Sequence, residues 1–322
     1  MNDLIVVKSK KINKKLVGYV LFCIVIAALY FFDFKNSQSF NNYKVWAIVA
    51  YCAFCIVLFV SFYFLNKFIA LKKIPIHKKF FILALCIGAL HLFLIPFLMG
   101  ADEQGHFCRA YEISQGDFFT PIDDSGNVGN VLPSSLKELK NVCNDDFKYT
   151  NLKNGLSIPL NQDETENYKN YYISISLYSP VQYLPQAIGI LFARILNFNV
   201  YWIGMMGRIF GFLFWLITCT YALKIMPIKK NFCMLLLLSP ICIGYATTLS
   251  GDMMLNAMII LLISKICKFR YEKKILNKKD IILLGVICCI ISLCKVVYFP
   301  IVFSIFLFLK NVLRIEKNII KF

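Results

Sequence analysis

Apolar runs of membrane-crossing length recur along this 322-residue chain, and no other feature restricts its folding so tightly. A bilayer's hydrocarbon core is about 30 Å thick and a helix rises about 1.5 Å per residue, so a crossing needs roughly 17–25 predominantly apolar residues. Candidate crossings are Leu16–Phe32, Val45–Leu65, Phe80–Met99, Val200–Leu223, Phe232–Leu249 and Met253–Cys267. The stretch Ile281–Leu309 is too long for one helix and is interrupted by Lys295 and Pro300, so it reads as two shorter helices meeting near Lys295. Composition agrees: 59% of residues are hydrophobic and 16% charged, against about 45–50% and about 25% in soluble domains. A compact soluble enzyme, a disordered chain and a secreted disulfide scaffold are thereby excluded. The fold expected is an all-α integral membrane protein with about eight transmembrane helices.

Charge placement gives the orientation. The net charge of +17 does not form a nucleic-acid patch, because the basic residues sit in short clusters between apolar runs. Lys8 to Lys15, Lys67 to Lys79, Lys224 to Lys230, Lys265 to Lys279 and Lys310 to Lys321 all fall on one side when eight crossings are threaded. By the positive-inside rule that side is cytoplasmic, with both termini inside a bacterial plasma membrane. The N-terminal run lacks a small-residue cleavage site and reads as a retained span. Between Gly100 and Tyr172 lie 12 of the 18 acidic residues but only 6 of the 35 basic ones, so this segment is expected outside.

Two domains follow. Residues 1–79 form an N-terminal pair of spans with basic cytoplasmic ends. Residues 80–322 form the core, in which 100–199 make one large extracytoplasmic loop with juxtamembrane helices and 200–322 supply five further spans. Within that loop, Asp123 to Lys169 is polar and rich in Asn and Asp, suggesting loops with little core, and Tyr168 to Tyr183 fit an aromatic belt. Pro180–Asn197 is apolar but holds two prolines, two glutamines and Arg194. It reads as an amphipathic helix along the outer interface, with a re-entrant element as the alternative. Most of the 13 cysteines lie in apolar runs and act as small hydrophobes, the Cys52/Cys55 pair included; Cys108 and Cys143 fall in the outer segment, where a disulfide between them is left open.

Charges at membrane depth are costly, so their placement marks function. Asp102, Glu103, His106 and Arg109 follow the third span at its outer end, with Asp102, His106 and Arg109 on one helical face. Asp252 sits at the outer end of the fifth span and Lys295 at the outer junction of the last two helices. Arg208 lies about 12 Å inside the fourth span, counted from Val200. Each has a plainer reading: a solvated helix end for Asp102 and Glu103, a packing pair of Arg208 with Asp252, a snorkelling Lys295. Their convergence on one leaflet favours a shared site in which basic groups hold a phosphate while a carboxylate takes a proton. Asp102 and Glu103 together also form a pair able to hold a divalent metal ion.

The run Asp102-Glu103-x-x-His106-x-x-Arg109-Ala110-Tyr111 resembles the signature of a family of bacterial polytopic membrane proteins of unknown function, with Ala101 where that pattern has proline. The resemblance continues through Tyr178–Gly189, Gly207-Arg208, Ser250–Asp252 and Lys295–Pro300. That family's layout is similar to the GT-C glycosyltransferases, which take a sugar from a polyprenyl-phosphate carrier. The resemblance implies Asp102 as base, Glu103 assisting or binding metal, and Arg208 and Lys295 near the carrier phosphate. His106, Arg109 and Asp252 would line the substrate. It implies inverting sugar transfer in cell-envelope assembly, with membrane lipid, a polyprenyl-phosphate sugar and envelope-assembly proteins as partners and no nucleic acid. A transporter or flippase of a lipid-linked or anionic substrate, and a short non-catalytic membrane partner, are the alternatives.

Overall fold

In the computed structural model the described residues are 74–95, 97–143, 154–168, 172–272 and 276–300. The chain divides after Lys73, and every described residue belongs to the second unit, Ile74–Phe322. The expected spans Leu16–Phe32 and Val45–Leu65, and the helix expected beyond Pro300, lie outside the described residues.

The chain is mostly helical. Helix α1, Ile76–Leu94, starts behind Pro75 and stops where the sequence reaches Ile95-Pro96. A residue before proline is pushed out of the helical region, and Ile95 is extended. Helix α2, Glu103–Gln115, ends at Gly116, whose φ of 99° is the left-handed conformation of a helix C-cap. Strands β1, Val131–Pro133, and β2, Thr165–Asn167, pair antiparallel with Leu132 opposite Glu166, and helix α3, Ser135–Cys143, follows β1. A short helix α4, Ile173–Ser176, and a 3-10 turn, Pro180–Tyr183, lead into α5, Leu184–Ile195. Helix α6, Val200–Ile225, is capped by the Asn199 side chain, which accepts from Trp202 N–H.

The apolar run expected as one span at Phe232–Leu249 is two helices, α7, Lys230–Leu237, and α8, Pro240–Thr247, bent by 57°. Pro240 cannot donate a helical hydrogen bond and Ser239 caps the new helix instead. Helix α9, Asp252–Tyr271, and helix α10, Lys278–Cys294, follow; α10 opens with a reciprocal capping box between Asn277 and Asp280. A 3-10 turn at Val296–Tyr298 follows Lys295. Among the described residues, α1 and α6 are long and apolar enough to cross a membrane, and the bent α7–α8 pair makes a third if it is one span. Helix α9 carries Lys265, Lys268 and Arg270 in its second half, and α10 is 17 residues long.

Two cores are stacked along α6. One is formed by Phe80 of α1, Phe212, Trp215 and Leu223 of α6, Met258 and Leu262 of α9 and Ile287 of α10. The second gathers Phe97, Phe107, Tyr111, Leu132, Leu139, Tyr168, Tyr183, Ile190 and Ile203. The segment expected to be loops with little core therefore contributes buried residues: Leu132, Leu139 and Tyr168 are isolated apolar residues in a polar stretch, and all three join the second cluster, with the Tyr168 hydroxyl donating to the Pro133 carbonyl beside Leu132. Arg208 falls where one core gives way to the other. From Arg208 to Ile225, α6 is about 27 Å long, close to one hydrocarbon thickness. Counted this way, Arg208 stands at the edge of the first cluster, because the first two turns of α6 belong to the second.

Helix α5 turns back antiparallel beside those first turns of α6. A Cβ on Gly189 would lie 2.4 Å from the Met206 carbonyl oxygen, and Gly211 and Gly207 face Gln186 and Ile190 in the same register. The amphipathic pattern is as expected, with Gln186, Gly189, Ile190 and Ala193 inward and Ile188, Leu191, Phe192 and Ile195 exposed. Its inward face, mostly small or polar, is met by α6, and apart from Ile190 its large apolar residues face outward. Because the neighbour of Gly189 is backbone, it cannot swing aside. Gly189→Ala is expected to destabilise by about 1–3 kcal/mol, whereas Gly285→Ala, with nothing within 4 Å of its Cβ, is expected to be neutral or stabilising. Denaturant titration of both variants in detergent checks the contrast.

Candidate functional site

Glu103 is the point from which the site is built. It is fully buried, and so is Arg208, whose Nε and Nη2 donate to Oε1 and Oε2 at 2.6 and 2.5 Å. Two backbone N–H groups complete the carboxylate, Leu249 at 2.8 Å and Gly100 at 3.0 Å. The remaining Arg208 nitrogen, Nη1, donates to the Ile95 carbonyl at 2.8 Å. One ion pair thus joins the end of α1, the start of α2, the middle of α6 and the link between α8 and α9. Gly100 is required beside it, since a Cβ there would press on both Glu103 and Thr248.

This anchoring fixes two other carboxylates. Asp102 precedes Glu103 in the left-handed conformation, φ 53° and ψ 18°, and its side chain does not cap the helix it starts. It is exposed, turned away from its buried neighbour. Asp252 is three residues beyond Leu249, reached through Gly251, where a Cβ would lie 2.6 Å from the Gln182 amide. Lys295 ends α10 in extended conformation and reaches across to Asp252, Nζ to Oδ1 2.5 Å, with the Tyr178 ring 5.8 Å from Nζ. Asp102, His106, Tyr178, Tyr245, Asp252 and Lys295 line one cavity of about 140 Å³.

His106 turns Nδ1 to the Tyr183 hydroxyl at 2.7 Å. Burial lowers its pKa from the ordinary histidine value, opposed by Asp102, Asp252 and Glu103 and reinforced by Lys295. The histidine is therefore neutral at neutral pH. Arg109 stands apart. It pairs with Glu112 at 2.7 Å, both buried, and donates to the carbonyls of Phe118 and Tyr178. Its effect on the cavity passes through the backbone of Tyr178.

The candidate residues thus sort by position. Asp102, His106, Asp252 and Lys295 share the cavity. Glu103 and Arg208 lie behind its wall, occupied with each other and with backbone. Arg109 ties the α2 end to the segment carrying Tyr178. Glu103 spends both oxygens on four hydrogen bonds and points away from Asp102, so the two carboxylates do not converge on an ion. Among the described residues no group of three or more His, Cys, Asp or Glu side chains is placed to hold a metal. Cys108 is a free thiol, pushed up to about 12 by burial. Tyr178, Tyr183 and Tyr245 were not singled out from sequence: the first two read as belt aromatics, and Tyr245 is one aromatic within an apolar run.

The Lys295–Asp252 pair is a quarter or more exposed on both sides, so solvent screens it. Lys295→Met is expected to cost less than about 1 kcal/mol of stability, measured by denaturant titration beside the wild type.

No curated protein and no solved structure matches the chain. The family model described as "Predicted membrane protein (DUF2142)" matches residues 85–322, which include every helix from α2 onward and all seven candidate residues. The chain belongs to this DUF2142 family of membrane proteins.

Proposed function

We propose that the cavity takes the phosphate-bearing head of a lipid-linked sugar, and that the protein transfers the sugar from a polyprenyl-phosphate donor to an extracytoplasmic acceptor in cell-envelope assembly. The observation that carries this reading is the make-up of the cavity: an exposed carboxylate and a histidine from the start of α2, and a lysine at the end of α10 paired to a second carboxylate at the start of α9. In this reading the protein lies in a bacterial plasma membrane, with the cavity opening outward and both termini cytoplasmic.

The chemistry is a single displacement. Asp102 accepts the proton of an acceptor hydroxyl, and the oxygen attacks the anomeric carbon. The bond from that carbon to the phosphate oxygen breaks, and the phosphate leaves with the electron pair toward Lys295, whose positive charge stabilises it. The anomeric carbon inverts. Glu103 and Arg208 hold the walls in place and do not touch substrate; in this arrangement Arg208 is not the phosphate ligand. No step needs a metal ion.

The test is transfer of label from a radiolabelled polyprenyl-phosphate sugar in membranes containing the chain. Wild type is expected to move label off the lipid and Asp102→Asn to fail. Equal transfer by both, or none by wild type across a panel of such donors, overturns the reading.

A further inference from the structure

We propose that Tyr183 is a positioning residue that holds His106 in its Nε2–H tautomer, so that the histidine meets the cavity as a neutral hydrogen-bond donor. The ligand then places an acceptor oxygen against it. The inference deepens the reading above, on which its functional arm rests.

The argument is one of donors and acceptors. Tyr183 closes the 3-10 turn Pro180–Tyr183 and is fully buried. A buried phenol keeps its proton, since burial raises its pKa well above the ordinary tyrosine value, and the O–H needs an acceptor. Nδ1 of His106, 2.7 Å away, supplies one. A neutral imidazole has one donor and one acceptor nitrogen. When Nδ1 accepts, the proton is on Nε2, the opposite edge of the ring, and His106 lines the cavity. Among the described residues no hydrogen bond is assigned to that nitrogen. The groups facing the ring are Asp102, Asp252, Glu103 and Lys295.

The consequence is a division of labour. Lys295 and His106 present donors to the cavity, while Asp102 and Asp252 present acceptors. A ligand with both an anionic oxygen and a hydroxyl satisfies all four, and one lacking an acceptor oxygen leaves His106 unpaired. Held in this tautomer, His106 acts as neither the base nor a metal ligand through Nε2.

The full chain, labelled with nitrogen-15 histidine in lipid nanodiscs, provides the readout. It contains three histidines, and loss of one signal set in His106→Gln assigns the site. Near neutral pH wild type is expected to show the Nε2–H pattern for His106, and Tyr183→Phe, which keeps the ring but removes the donor, a mixture of tautomers. An Nδ1–H pattern in wild type, or an unchanged pattern in Tyr183→Phe, overturns the proposal. The transfer assay adds a second arm: a glutamine amide nitrogen reaches the Nε2 position and an asparagine one does not, so His106→Gln is expected to keep most transfer and His106→Asn to lose roughly tenfold, the effect of one charge-assisted hydrogen bond. Equal loss in both overturns the donor role. The spectra need no turnover, so failure of sugar transfer leaves the tautomer result standing on its own.

Discussion

Replacing Arg208 with methionine will destabilise the protein by about 3–5 kcal/mol, and replacing Glu103 with glutamine in the same chain will recover much of that loss. Both side chains are fully buried and share two hydrogen bonds. Removing the guanidinium leaves a carboxylate out of water with only the Gly100 and Leu249 N–H groups to compensate it. The Ile95 carbonyl also loses its donor. Glutamine at position 103 removes the charge yet keeps an oxygen for one of those N–H groups, so the double variant leaves no naked charge behind. Unfolding free energies of the wild type, the two single variants and the double variant form a cycle that isolates the coupling between the two sites. If Arg208→Met stays within about 1 kcal/mol of wild type, as a surface pair would, the anchoring role falls. The same cycle read in the transfer assay should track stability, because neither residue reaches the cavity.

The sequence made the gathering of charges readable but not their pairing. Glu103, Arg208, Asp252 and Lys295 each interrupt or terminate an apolar run, and the orientation rule puts all of them at one leaflet. Which acid meets which base depends on the rotation of α6 and α9 about their axes. That is set by close approaches such as Gly204 under Phe97 and Gly251 against Gln182, which leave no periodic trace. The plainer reading pairs Arg208 with Asp252, and the shared-site reading leaves Arg208 for a phosphate; the structure gives Arg208 to Glu103 and Asp252 to Lys295. Hydropathy does not distinguish helix buried in lipid from helix buried in protein, so it carries no sign that the first turns of α6 pack in one cluster with Phe97, Phe107 and Tyr183. Pro180–Asn197 was legible as an amphipathic helix, while its partner was not, because small residues facing backbone carry no hydropathy signal. The outer core escaped notice because its apolar residues are far apart in sequence and only meet once α2, α3 and β1 are assembled.

If the proposed sugar transfer with Asp102 as base holds, Asp102→Asn will lower its kcat/KM by about 10²–10⁴-fold, the usual range for losing a general base, while leaving stability within about 0.5 kcal/mol of wild type. The separation of the two effects follows from the backbone. Asp102 sits at φ 53°, a conformation that asparagine accepts at least as well as aspartate and glycine better than either. Its side chain makes no cap to the helix and is exposed, so its amide substitute loses no fold contact. Asp102→Gly should therefore be as stable as wild type or more so, and equally inactive, whereas Asp102→Ala adds about 1–2 kcal/mol of backbone strain to the same loss of activity. Asp252→Asn behaves differently. It releases Lys295 from its ion pair, so the lysine is freer to meet a phosphate, and the loss should stay below roughly tenfold if Asp252 only positions that lysine. Stopped-time transfer assays with unfolding curves on the same four preparations decide the matter. A near-normal rate in Asp102→Asn together with a large loss in Asp252→Asn would move the base to the other wall of the cavity and reverse the direction from which the acceptor approaches.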